Sequence, residues 1–265
     1  EELAERFARE YWGGDDKAFE LPASVVPSGL TGAEAREAVR ALAGRTLRTE
    51  VYALDGSELE GEPFTVSEGS FEVRQVQARG PNCFGVYLAH DREALSYHYE
   101  RDPLDPRIAH SFTLEVDDYG AVLRSAAVAY PRREFVHEEQ GATYVTLSEA
   151  DVVHLVDGDD VLRLGVPVEA RSYQVHGLIT AMGAAFSWQA VREAADSAAA
   201  VAYDGELSGG VDKRLLSRSR TRYLADDLSA PLAHGVVQSK ALVYDTDAMA
   251  MTETQRQAVF GALTG

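Results

Sequence analysis

Histidine, cysteine and carboxylate side chains are the groups most able to supply a metal ligand, a general base or a nucleophile. The chain has seven histidines and one cysteine. His98 and Glu100 alternate with apolar residues, so they share one face of a predicted strand and could in principle ligate a metal. A strand surface whose tyrosine, histidine and glutamate side chains form cross-strand pairs explains the same pattern, and we favour that interpretation.

Two further segments carry reactive side chains. Residues 157–160 (DGDD) resemble part of a calcium loop, but they lack the alternating oxygen ligands and the glutamate at loop position 12, so we predict a solvated acidic turn. Cys83 has no histidine near it in sequence and is predicted to be a buried or half-buried small side chain. The motifs HExxH, GxxxxGK[ST], GxGxxG and GxSxG are absent. The sequence therefore predicts no catalytic, cofactor-binding or metal-ligating residue.

Composition narrows the class of partner. Lys plus Arg is 25, Asp plus Glu is 43, and the net charge is -18 over 265 residues. A surface this acidic repels phosphate backbones and anionic lipid, so we expect neither nucleic-acid binding nor direct membrane contact. One cysteine excludes an internal disulfide. The uncharged run Ser172–Val191 contains glutamines, a histidine and glycines, and we predict a buried connection leading into a helix.

The elements that would position such side chains begin with a helical lead over residues 1–45. Leu3, Phe7 and Tyr11 have helical spacing, which predicts a short helix ending near residue 13. Thr31 followed three residues later by Glu34 has the spacing of a capping box, and a second helix is predicted from there to a stop at Gly44.

Residues 46–176 are predicted to form a β-rich body. Strands are expected at 46–54, 64–79, 84–90 and 95–100, where apolar and polar residues alternate or β-formers cluster. The segment 111–130 reads as a hairpin around a turn at Asp117–Gly120. Further short strands are predicted at 143–147, 152–156, 161–168 and 171–175. Mixed charges around Arg101, Arg107, Arg132 and Arg133 indicate either salt-bridged strand ends or a surface matched to another part of the same assembly.

Residues 177–265 are predicted to be a mixed α/β tail. An alanine-rich helix is expected over 188–202, strands at 215–223 and 241–244, and a last helix capped by Thr252 and Gln255. The fold class is therefore mainly β with helical segments, built of antiparallel strands and hairpins.

A long ordered string of segments resembles a known family. The chain is similar, over roughly residues 40–250, to the middle region of the B component (TcaC/TcdB/SpvB-like) of bacterial insecticidal Tc toxin complexes. The matching segments are Arg48–Ser57, Pro63–Glu68, Arg92–Arg101, Asp105–Ile108, Leu114–Gly120, Tyr130–Arg133, Arg220–Tyr223, Asp226–Ser229 and Ala241–Tyr244.

The resemblance implies a structural role. In that family the B and C components close into a hollow β-shell, extended by RHS/YD repeats, that holds a toxic polypeptide, and a propeller of the B component docks on the pore-forming A component. The implied partners are the remainder of the B-component chain, the C component with its toxic cargo and the A-component pore, in a secreted complex. ADP-ribosyltransferase relatives carry that activity in a separate domain; here only Glu58–Glu60 and Glu138–Glu139 suggest the acidic part of its motif, and no Ser-Thr-Ser occurs.

The sequence leaves three hypotheses. The first is a shell module of a toxin complex with no enzymatic activity. The second is a free-standing carbohydrate- or protein-binding β domain, which an exposed aromatic patch of Tyr87, Tyr97 and Tyr99 would favour. The third is an enzyme such as a hydrolase or transferase, which a pocket with a titratable group would favour. The chain begins at Glu1 without a signal peptide, and we expect it to be a piece of a longer polypeptide.

Overall fold

The computed structural model describes residues 7–158, 160–180 and 183–261, and the side chain of Ala8 is not described. The chain divides into two compact units. The first holds the described residues within 1–112, 128–143 and 181–185, and the second holds those within 113–127, 144–180 and 186–265. Strands predominate over helices in the chain, and all but one of the strand pairings described below are antiparallel, which confirms the predicted fold class.

The first unit contains an antiparallel sheet in the order β1–β2–β3–β4. The strands predicted at 84–90 and 95–100 form one continuous strand that ends at His98, because a register shift between Ser70 and Phe71 of its partner keeps the ladder intact. The strands are β1 (Arg48–Val51), β2 (Thr65–Gln77), β3 (Val86–His98) and β4 (Arg107–Val116), whose last four residues belong to the second unit.

Alternation along these strands builds the core of the first unit. Val66 pairs with Tyr97 on β3, and Tyr97 pairs with Ile108 on β4, so the three side chains lie on one face. All three are buried, as are Leu95 and Phe112. Burial of such residues contributes about 1.5–3 kcal/mol each relative to exposure.

The lead segment is less helical than predicted. Where the first short helix was predicted, the described residues form only a 3-10 turn at Ala8–Glu10, after which Tyr11 is extended. Phe7 and Tyr11 therefore do not share a helical face, and Leu3 lies outside the described residues. Val25 then forms a parallel bridge with Glu72 of β2. The capping box at Thr31 and Glu34 is confirmed and begins helix α1 (Gly32–Arg40).

The second unit is built on a sheet in the order β6–β7–β9–β10, and β8 is paired in parallel with β9. Its turn at Asp117–Gly120 is confirmed, with Gly120 at a positive φ of 91°. The strands are β5 (Val122–Ala129, the last two residues in the first unit), β6 (Tyr144–Asp157), β7 (Val161–His176), β8 (Ala199–Val201), β9 (Asp212–Tyr223) and β10 (Val243–Ala248).

The predicted interruptions of β6 and β7 are wrong. Four short strands were expected where the structure has two long ones. The register shifts between Asp151 and Val152 and again between Val153 and Leu155, while Gly165 adopts a φ of 67°. Bulges therefore absorb the irregular residues without ending the pairing.

Helices in the second unit are α2 (Trp188–Ser197) and α3 (Glu253–Phe260). The Thr252–Gln255 capping box of α3 is confirmed. The predicted extension of α2 to residue 202 is wrong, since Ala199–Val201 pairs with Asp212–Arg214 as a strand. Ladder hydrogen bonds here override the helix propensity of alanine. The uncharged run 172–191 covers the end of β7 and the start of α2, and no helix of the described residues has the length and apolarity to cross a membrane.

Candidate functional site

The metal site considered at His98 and Glu100 does not form. His98 ends β3 with an exposed side chain, whereas Glu100 has a φ of 52° and an ion pair with Arg107. The strand ends before Glu100, so the period-two argument does not extend to it. Within the described residues, no three His, Cys, Asp or Glu side chains gather as a metal site.

The other reactive segments lie on turns and loops. Cys83 is exposed, not buried as predicted, because it lies in the turn region between β2 and β3. Gly158, at a φ of 55°, lies in the turn between β6 and β7, and Asp159 is outside the described residues. Glu60 accepts a hydrogen bond from the Gly56 amide at 2.7 Å and so closes a loop.

Tyr97 and Tyr99 do not form the exposed aromatic patch that would favour a free-standing binding domain. Tyr97 and Tyr99 are 2% and 3% exposed, and their rings stack with centroids 5.5 Å apart. The segment after the 3-10 turn covers them: the Trp12 ring stands edge-on to Tyr99 at 4.8 Å, and the Phe19 amide donates to the Tyr97 hydroxyl at 2.6 Å. Burial raises the pKa of both phenols.

Asp15 holds this covering segment in place. Its carboxylate, 2% exposed, accepts from Arg133 at 2.7 Å and from the Tyr99 hydroxyl at 2.9 Å. Burial alone would raise the pKa of Asp15, but the hydrogen bonds from Arg133, the Lys17 amide and Tyr99 outweigh it and lower that pKa. Through Tyr99 and Arg133, Asp15 joins the lead segment to the end of β3 and to the segment that follows β5.

A second carboxylate, Asp105, organises the neighbouring loop. It accepts from the Arg132 side chain at 3.0 Å and from the Arg133 amide at 2.9 Å. Burial opposes ionisation, yet the hydrogen bonds and charge of Arg132 lower the pKa of Asp105. These pairs, with Arg107–Glu100 and Arg101–Asp55, confirm the predicted salt bridges among the mixed charges.

Another buried titratable group of the first unit is Glu93, on β3. The Glu93 Oε2 atom lies 3.3 Å from His110 Nε2, and His110 Nδ1 lies 3.1 Å from the Tyr130 hydroxyl. All three side chains are buried. The arrangement resembles a proton relay, but its burial leaves it without access for a substrate.

The densest charged cluster of the second unit surrounds Glu169, on β7. Its carboxylate is 3% exposed and lies 2.8 Å from Arg171, 2.7 Å from Arg218 and 2.8 Å from Arg220. His234 Nε2 lies 2.9 Å from Oε2 of the same carboxylate. Burial would raise the pKa of Glu169, but hydrogen bonds from Arg171, Arg220 and His234 lower it.

A second carboxylate, Glu149, links β6 to β9. It pairs with Lys213 at 2.6 Å and with Arg171 at 3.4 Å, while Arg171 also binds Asp151 through two nitrogens at 2.8 and 3.0 Å. Sequence analysis did not single out these residues. Their available signal was the period-two spacing of Glu169 with Arg171 and of Arg218 with Arg220, which places each pair on one face of a strand.

Comparison with known families gives a match to part of the chain. Residues 37–166 match the family described as insecticide toxin TcdB middle/C-terminal region. Over these residues the chain is TcdB-like. Comparison with curated proteins finds no match.

Solved structures share the fold of this TcdB-like chain. The crystal structure of TcdB2-TccC3-Cdc42 superposes with a TM-score of 0.79 at 21% identity, covering 99% of this chain and 13% of that chain. TcdB2-TccC3 without the hypervariable C-terminal region gives 0.79 at 22% identity, with the same coverage. A Photorhabdus luminescens Tc holotoxin pore gives 0.74 at 22% identity, again covering 99% and 13%. The chain thus spans about an eighth of the length of each.

Proposed function

We propose that this chain is a structural module in the wall of a Tc-type toxin B component, where it helps to build the hollow β-shell that encloses and delivers a toxic polypeptide. The observation that carries the proposal is the fold likeness to TcdB2-TccC3 structures along 99% of the chain, together with the family match over residues 37–166. A wall needs long paired strands, and β2, β3, β6, β7 and β9 each have at least 12 residues.

Cross-strand ion pairs suit a wall better than a reaction centre. Glu169 connects β7 to β9 through Arg220, and Glu149 connects β6 to β7 through Arg171. Asp15 fixes the lead segment over the sheet of the first unit. These carboxylates are occupied by structural partners. We infer that the chain contributes structure and not catalysis.

The outer strands point to neighbours within a larger polypeptide. In the first unit β1 pairs with β2 and exposes 47% of Val51, while in the second unit β10 pairs with β9 and exposes 57% of Val243 and 50% of Tyr244. Apolar residues on strand edges favour pairing with further strands. We propose that the remainder of the B-component chain covers these edges.

The wider partners follow from the same proposal. The C component with its toxic cargo closes the shell, and the A-component pore is reached through the propeller of the B component, in a secreted complex. The net charge of -18 supports the absence of direct nucleic-acid or membrane contact.

The proposal is tested on the 265 residues expressed alone. Without neighbouring strands the piece should oligomerise in size-exclusion chromatography or bind a hydrophobic dye such as ANS. Within a complete B component, where neighbouring strands would cover the edges, these 265 residues should bind less dye than they bind when expressed alone. A monodisperse monomer that melts cooperatively without dye binding would instead support the free-standing binding domain.

A further inference from the structure

We propose that the core of the first unit binds one ordered water molecule through the side chains of Ser70, Glu93 and His110. The inference goes beyond the shell role and does not rest on it, because it follows from hydrogen bonds that these buried groups leave unmade. The water links three neighbouring strands, β2, β3 and β4, on the buried face of their sheet.

Three polar side chains lie together in this core. Ser70 is 2% exposed, Glu93 3% and His110 2%. One atom of each, Ser70 Oγ, Glu93 Oε1 and His110 Nε2, is buried without a hydrogen-bond partner among the residues that the structure describes. An unpaired buried polar atom destabilises a fold, so native cores supply its partner from protein or from ordered water.

The register of the sheet places the three side chains side by side. Ser70 of β2 pairs directly with Glu93 of β3, and both side chains are buried on the same face. On the other side of β3, Glu93 pairs with Phe112 of β4, so His110 is its diagonal neighbour on that strand. Glu93 therefore stands between the serine hydroxyl and the imidazole.

The carboxyl group of Glu93 is directed towards His110. Its Oε2 atom lies 3.3 Å from His110 Nε2, while His110 Nδ1 lies 3.1 Å from the Tyr130 hydroxyl. The short side chain of Ser70 does not follow the carboxyl group, and no hydrogen bond joins Ser70 Oγ to Glu93. A water molecule, which both donates and accepts, bridges such a gap.

Arg92 does not complete the site. Its Nε atom is 3.7 Å from Glu93 Oε1, beyond hydrogen-bond distance, and its guanidinium group donates to Glu72 at 2.6 Å. Arg92 is also the extra residue of a β-bulge beside Ser70, where the ladder is locally interrupted. The sheet is thus irregular at the place where we position the water.

The chemistry of the three atoms favours water over a metal ion. A hydroxyl, a carboxyl oxygen and an imidazole nitrogen each form hydrogen bonds with water, and a buried water typically makes about three such bonds to groups that lack other partners. A zinc ion needs at least about three protein ligands of the His, Cys, Asp or Glu type. Within the described residues no such group of three is present.

A high-resolution crystal structure of the full chain tests the site. One solvent molecule should lie about 2.7–3.2 Å from Ser70 Oγ, Glu93 Oε1 and His110 Nε2. These distances are those of hydrogen bonds, and they distinguish a water from a metal ion, whose ligands lie closer.

Substitution of Ser70 measures what the water contributes. Ser70→Val replaces the hydroxyl group by methyl groups, which expel the water and leave Glu93 Oε1 unpaired. The ratio of folded to unfolded chain, from urea titration, should fall at least about tenfold. Ser67→Val is the matched control, because Ser67 lies on the same strand and is only half-buried, and it should change that ratio less than about threefold.

Three results would overturn the proposal. The first is electron density that shows no solvent molecule among the three atoms. The second is a metal ion about 2.0–2.2 Å from Glu93 and His110. The third is a Ser70→Val chain as stable as the Ser67→Val chain. The density of the unsubstituted chain decides the first two results even if Ser70→Val does not fold.

Discussion

Three carboxylates, those of Asp15, Asp105 and Glu169, each hold separate segments of the chain together. Asp15 contacts Arg133 and Tyr99, residues more than 80 positions away in sequence, and thereby ties the lead segment to the sheet of the first unit. Asp105 and Glu169 act in the same way on their surroundings. Each is ionised against the effect of burial because several donors bind it.

Replacing Asp15 tests this role. We expect Asp15→Asn to lower the free energy of unfolding by about 2 kcal/mol at pH 7, because hydrogen bonds to a charged group are lost. The folded-state pKa of Asp15 lies below 3.8, so its stabilisation is present above pH 3.8 and is lost as pH falls through the lower folded value. Urea titrations at pH 7 and pH 3 measure the difference, which should shrink at pH 3.

The exposed neighbour Asp16 is the matched control. Asp16→Asn should change the free energy of unfolding by less than about 0.5 kcal/mol. An equal effect of the two substitutions would mean that the Asp15 contacts do not secure the segment.

The glycine at position 177 allows the chain to turn after β7. Gly177 follows β7 with a φ of 77°, and a Cβ at this position would lie 2.1 Å from the Gly210 carbonyl oxygen, just before β9. The backbones at Gly177 and Gly210 therefore lie too close together to admit a side chain at position 177.

Gly177→Ala should therefore destabilise the chain by about 3 kcal/mol or more, combining left-handed strain with a backbone clash. Gly209→Ala is the matched control, because Gly209 has a φ of 83° with open space around it and should lose only about 1–2 kcal/mol. Thermal or urea unfolding compares the two. Equal losses would show that the Gly210 contact contributes nothing.

Two substitutions in helix α2 test how tightly this helix packs. Ala194 and Ala195 are buried, and Ala195→Leu should cost about 1–3 kcal/mol by overpacking. Glu193→Leu inserts the same side chain on the exposed face and should cost less than about 1 kcal/mol, as urea midpoints would show. A harmless Ala195→Leu would mean that the helix is loosely packed.

At the scale of the whole molecule, the carboxylates make stability dependent on pH. The pKa values of Asp15, Asp105, Asp117 and Glu169 are all lowered by their donors. The unfolded chain binds protons more readily at these groups, so the free energy of unfolding should decrease as pH falls below about 5.

We expect the free energy of unfolding to decrease continuously between pH 6 and pH 2.5, measured by urea titration of the full chain at several pH values. The quadruple Asn/Gln variant of these carboxylates is the control and should show a shallower pH slope. A free energy of unfolding that stays constant or rises on acidification would contradict the assigned ion pairs.

The sequence by itself determined the fold class, the two Thr-initiated helices and the turn at Asp117–Gly120, because alternation, capping boxes and glycine turns are local signals. The family resemblance also came from the order of segments along the chain. Strand lengths were underestimated at β6 and β7, where bulges keep a ladder continuous through residues that read as breaks.

Only the tertiary structure decided which charges meet and which aromatics are covered. Tyr97 and Tyr99 are buried because a distant lead segment lies over them, and no local pattern reveals that cover. The cluster around Glu169 needs β7, β9 and His234 brought together across 65 positions of sequence. Register between strands is a long-range property, so the pairing of Glu169 with Arg218 and Arg220 emerges only when the sheet is assembled.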